Sequence, residues 1–113
     1  MAEWTKAGES DDDGGYTAYV DLDSIRKAGN GVKMWSLYDY KIEQKASGVN
    51  FSSKSIRRDY DCKGEHLRML AFKLFSWNME RGRLVRSYSQ PRNWEEVQPG
   101  SMGETEWKIA CDK

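Results

Sequence analysis

The sequence has a single histidine, two cysteines, two prolines and no net charge. One histidine excludes a metal centre built from several imidazoles. A Ser-His-Asp arrangement would have to use His66, which is expected beside a tight hairpin loop and exposed, so no catalytic residue is assigned. Eighteen Lys and Arg balance eighteen Asp and Glu. That argues against a dedicated nucleic-acid binder, which carries a basic excess. No apolar run approaches the length that spans a membrane, and no signal-peptide pattern is present. A chain opening Met1-Ala2-Glu3-Trp4 is expected to be a mature domain with an added methionine; a genuine cytosolic start is the alternative.

What remains is 113 residues, 38% hydrophobic and 32% charged, which gives one domain over 1–113 with a modest core. Residues 1–15 are expected to be partly flexible. Cys62 closes one predicted strand and Cys111 lies near the end of a predicted helix. They are expected to pair because these elements should pack together; two unrelated free thiols in a cytosolic protein are the competing reading. A bond between them would close a loop of about 50 residues, worth roughly 4 kcal/mol in the chain-entropy model. It would also place synthesis in an oxidising compartment.

The patterning predicts an antiparallel meander. Trp4–Ala7 and Tyr16–Val20 read as strands around an acidic, glycine-rich loop, Glu9–Gly15. Asp21–Arg26 reads as a short helical turn capped by Asp and ended by Gly29-Asn30-Gly31. Val32–Gln44, Phe51–Cys62, Leu67–Trp77 and Arg83–Tyr88 follow as strands joined by short loops. On Phe51–Cys62, Ile56, Tyr60 and Cys62 share one face, and Ser53, Ser55, Arg57, Asp59 and Asp61 share the other. On Leu67–Trp77, one face carries Leu67, Met69, Ala71, Phe75 and Trp77; Leu70, Phe72 and Leu74 lie on the other. Trp94–Val97 is irregular or a short edge strand. Ser101-Met102-Gly103-Glu104 matches a capping box. It opens a helix over 102–112 with Gly103, Trp107, Ala110 and Cys111 on its buried side. The predicted class is α+β: about five to six antiparallel strands, with one C-terminal helix tethered by the disulfide.

Tyr19-Val20-Asp21 with Ile25, Trp35 in a long strand, Asp61-Cys62, and Pro99-Gly100-Ser101 followed by Trp107-Lys108-Ile109-Ala110-Cys111 carry a resemblance. From about Tyr19 to Cys111 the chain resembles the surface-adhesin protein E family of Gram-negative envelope proteins. The resemblance implies a sheet of about six strands with a disulfide-tethered C-terminal helix. It also implies export to the periplasm or outer-membrane surface, often as a lipoprotein, and, for the characterised member, binding of host extracellular-matrix and plasma proteins. No lipoprotein cysteine stands near the start, so any lipid anchor is expected outside this sequence or not at all.

Asp59 and Asp61 lie about 7 Å apart on one strand face by strand rise, a spacing that glycosidases use. Arg57 shares that face and no apolar pocket is evident, so a solvated sheet face is preferred. Asp11-Asp12-Asp13-Gly14-Gly15 fails the EF-hand pattern and reads as a solvated loop, so neither a metal nor another cofactor is expected. Arg81, Arg83 and Arg86 surround one hairpin, with Trp77, Tyr88 and Trp94 close by and Arg57, Arg58 and Arg68 on neighbouring strands. Arginine with aromatics is typical of protein interface hot spots; with Glu80, Glu95 and Glu96 nearby, a salt-bridged surface is the preferred alternative. Strands Val32–Gln44 and Leu67–Trp77 are apolar on both faces, and one helix covers one face. A homodimer or another protein partner is therefore expected on the second. The functional expectation is an exported, non-enzymatic, protein-binding module of adhesin type; the alternative is a periplasmic structural or assembly component.

Overall fold

The computed structural model describes residues 3–112; the reading of Met1 and Ala2 as an added start lies outside them. Six strands run in sequence order across one antiparallel sheet: β1 (Thr5–Ser10), β2 (Tyr16–Ala28), β3 (Gly31–Ala46), β4 (Val49–Asp61), β5 (His66–Phe75) and β6 (Leu84–Ser89). A two-residue strand, β7 (Glu95–Glu96), pairs with the start of β5 on the same side as β6. Helix α1 (Met102–Asp112) ends the chain. The predicted meander and helix are therefore present, and Cys62 and Cys111 form a disulfide. Residues 5–10, expected in part to be flexible, pair with β2 as the edge strand.

The Asp21–Arg26 segment is not helical. It belongs to β2, where the pairing with β3 is interrupted between Asp21 and Arg26. The Asp21 carboxylate accepts from the Asp23 N–H (3.1 Å), and the Ser24 hydroxyl donates to the Asp21 carbonyl (2.6 Å). These local bonds produce the turn-like sequence signal. The Trp35 N–H of β3 then donates to Ser24 Oγ at 2.9 Å, so a side chain replaces the missing ladder partner.

A second irregularity reorders the faces of β5. Arg57 opposes Ala71 while Arg58 opposes Met69, which leaves Leu70 as the extra residue of a bulge. Leu67 and Met69 therefore share the helix-bearing face with Phe72 and Leu74, opposite Ile56 and Lys54. Simple alternation had separated them.

α1 packs chiefly on β1 to β4. Beneath it Val20, Val32, Met34, Tyr60 and Leu67 enclose Ala110. Further along the same face, Tyr16 stacks on Tyr38 with ring centroids 4.5 Å apart, and Tyr40 meets Phe51 edge-on. The capping box forms: Ser101 Oγ accepts from the Glu104 N–H at 3.1 Å. The return bond goes to the Gly100 N–H rather than to Ser101. The Trp107 indole N–H donates to the Asp61 carbonyl at 3.0 Å, beside the disulfide.

The helix also buries a charge whose partner its own pattern does not reveal. Glu106 is fully inaccessible. Its Oε2 accepts from Arg58 Nη1 on β4 and from the Tyr38 hydroxyl on β3, both at 2.9 Å. Burial opposes the Arg58 charge, yet Tyr38, Glu106 and Tyr60 around it hold its pKa above the ordinary value.

Candidate functional site

The segment between β5 and β6 carries the most exposed aromatic side chain among the described residues. Trp77 is 67% exposed, Leu84 at the start of β6 is 49% exposed, and Arg81 and Arg83 are exposed between them. Despite this exposure the segment is tied down. The Trp77 N–H donates to the Arg81 carbonyl and the Ser76 N–H to the Arg83 carbonyl, which continues the hairpin. The Ser53 hydroxyl donates to the Trp77 carbonyl at 2.7 Å and accepts from the Glu80 N–H at 3.0 Å. Asp39 Oδ1 accepts from Asn78 Nδ2 and from the Met79 N–H, each at 2.9 Å. Asp39 and Ser53 face each other in register on β3 and β4, so both anchors come from one sheet position.

The turn is also strained. Met79 and Glu80 both have positive φ (55° and 61°), a conformation costing about 1–3 kcal/mol each outside glycine. Gly82 supplies a third at φ +79°, where a Cβ would run into Ser76 Oγ and the Trp77 ring. A strained backbone bolted to a sheet fixes the main chain at Trp77 and leaves its side chain in solvent. Beside it, between the β3–β4 turn and β6, lies an open groove of about 660 Å³ that includes Glu43, Val49, Asn50, Trp77, Arg83 and Leu84.

The candidate partner-binding residues of this hairpin region, Arg81, Arg83, Arg86, Trp77, Tyr88 and Trp94, do not gather at one point. Trp77 and Arg83 line the groove, with Arg81 in the adjoining turn. Arg86 borders a separate cavity on the helix-bearing face. Tyr88 stacks on Phe72 at 5.5 Å, with the Arg92 guanidinium 5.1 Å from its ring. Trp94 lies next to β5, where the Arg68 guanidinium sits 4.5 Å from its ring. Sequence reasoning did not include Leu84, nor the anchors Asp39 and Ser53. The one available signal is the apolar pair Leu84-Val85 between Arg83 and Arg86, just after a glycine turn.

The second sheet face, expected to need an outside partner, is partly covered from within. Leu37, Ser53 and Ser55 are fully buried there, and the β5–β6 segment bonds to Ser53 and Asp39. Asp59 is not solvated as expected but buried, 3.2 Å from Arg68 Nη2 and 4.0 Å from Lys33 Nζ. Asp61 instead caps the β4–β5 turn, accepting from the Lys63 and Gly64 N–H groups. His66 Nδ1 lies 4.0 Å from Asp61 Oδ2 at the surface. Among the described residues, no three His, Cys, Asp or Glu side chains are placed to hold a metal ion.

A family model described as surface-adhesin protein E matches residues 4–112. No curated protein matches the sequence. The fold is similar to crystal form II of Haemophilus influenzae protein E, with a TM-score of 0.70 and 14% identity over 84% of this chain and 80% of that one. Protein E from non-typeable Haemophilus influenzae superposes with a TM-score of 0.64 and 14% identity over 84% and 69% of the two chains. At such identity the likeness is one of fold.

Proposed function

The chain belongs to the surface-adhesin protein E family, and we propose that it is an exported, non-enzymatic, protein-binding module of the Gram-negative cell envelope. The observation that carries this reading is the display of Trp77 on an anchored turn. A large aromatic held in water by a strained, anchored turn is a poor choice for stability and a good one for recognition, because little entropy is lost when a partner covers it. Leu84 and Arg83 beside it complete the combination of residue types that dominates interface energetics. The disulfide suits an oxidising compartment. The proposed partner is a protein, with host extracellular-matrix or plasma proteins the first class to test and a second copy of the chain the next.

Trp77→Ala and Leu84→Ser leave the core untouched, so thermal unfolding is expected to change little. Capture of purified matrix and plasma proteins by the immobilised oxidised domain is expected to fall about tenfold or more, as for a hot spot of about 2 kcal/mol. Equal capture by wild type and both variants overturns the site. Protease shaving of intact cells separates the two locations. Cleavage places the module on the outer surface, whereas protection favours a periplasmic assembly role and rules out adhesion.

A further inference from the structure

α1 leaves part of its own sheet face uncovered. Past Met102, over β5 and β6, a cavity of about 190 Å³ is walled by Phe51, Met69, Phe72 and Leu74 and bordered by Lys54 and Arg86. The two cations are unusual for such a wall. Lys54 is half-buried, and its ammonium lies 5.8 Å from the Tyr38 ring centroid. Among the described residues it makes no ion pair and no hydrogen bond. Burial, then the neighbouring Arg58, lowers its pKa; Asp13 and Glu106 act against this only from a distance. Arg86 makes one long bond, 3.5 Å, to the Ser47 carbonyl. The cavity thus has an apolar wall and a positive edge, and among the described residues neither of its cations is in an ion pair.

Its size limits the occupant. Drug-sized ligands take about 300 Å³ or more, whereas an apolar cavity of about 150 Å³ holds one benzene ring. We propose that this cavity binds a small organic carboxylate with a one-ring or short aliphatic body, the body against Phe51, Met69, Phe72 and Leu74 and the carboxylate between Lys54 and Arg86. The site is distinct from the Trp77 groove and does not depend on the protein-binding reading.

Three probes of one shape test it: phenylacetate, 2-phenylethanol and 2-phenylethylamine, each titrated into the oxidised protein and followed by NMR of the Met69 methyl group. Phenylacetate is expected to saturate, the alcohol to bind about tenfold or more weakly, and the amine not at all, because hydrogen bonds to charged groups are the stronger class. Lys54→Met should weaken phenylacetate about tenfold and leave the alcohol unchanged, with thermal stability equal or higher. Lys54→Gln serves as a second neutral variant and should give the same binding pattern. Equal binding of all three probes, or phenylacetate affinity unaffected in both variants, overturns the proposal. Binding confined to a peptide ending in phenylalanine, with none to phenylacetate, also overturns it and reassigns the cavity to polypeptide recognition.

Discussion

Truncating Glu106 would strand the Arg58 guanidinium, which is only 17% exposed, beside an aromatic core without its counter-ion. Breaking a buried pair from one side costs about 3–5 kcal/mol, whereas replacing both partners with apolar groups is often neutral. Glu106→Ala is therefore expected to lower the unfolding free energy by about that amount in urea titration, and Arg58→Met with Glu106→Leu to recover most of it. A single-variant loss under about 1 kcal/mol would mean that the pair is not what holds α1 to β3 and β4. This contact was half-legible. Arg58 stands between Ile56 and Tyr60 on the apolar parity of β4, and Glu106 is three residues after Gly103 and four before Ala110 on the buried side of α1. Each reads as a polar residue out of place. Only the docking of helix on strand shows that they answer one another.

Periodicity served well where an element was regular and failed where side chains replaced backbone partners. α1 carried its limits openly, with Ser101 and Glu104 at its start and Cys111 near its end. β2 did not, because the Asp21 and Ser24 bonds imitate a helix cap while the strand continues past them. β5 hid its bulge, since Leu70 is as apolar as its neighbours and nothing local marks it as extra. The turn holding Trp77 showed Gly82 but not its anchors, because Asp39 and Ser53 come together only through strand register. For α1 the two terminal fastenings should separate cleanly. Ser101→Ala removes the cap and should cost about 1 kcal/mol. Cys111→Ser removes the closure of the chain and should cost roughly 2–4 kcal/mol, a large share of the stability of a small domain. Reductant should lower the wild-type thermal midpoint and leave that of Cys111→Ser unmoved; an unmoved wild type would mean that the disulfide adds nothing to folding.

The aromatic core makes the stability of the whole molecule sensitive to alkali. Burial raises the pKa of Tyr38, Tyr40 and Tyr60, and to a lesser degree that of Tyr16. In the unfolded chain these phenols ionise near pH ~10. Below that pH both states hold the protons and the tyrosines give no pH dependence. Above it the unfolded state gives them up while the folded state keeps them, so stability falls as pH rises, until the folded-state pKa is passed. Lys54 acts in the opposite sense, because its folded-state pKa is lowered; raising the pH relieves its desolvation, but it is one group against several. Each retained phenolic proton contributes about 1.4 kcal/mol per pH unit, so the buried Tyr38 and Tyr60 alone should give about 3 kcal/mol per unit above pH ~10. Urea midpoints should accordingly be level from pH 7 to 9 and drop steeply by pH 11, with phenolate absorbance appearing in step with unfolding. Tyr60→Phe isolates one proton. The Tyr60 hydroxyl lies beside Ser36 and Arg58 but makes no hydrogen bond of good geometry, so its loss should cost little at pH 7 and flatten the alkaline slope by about one proton. An alkaline slope equal to that of the wild type would show that Tyr60 does not hold its proton in the folded protein.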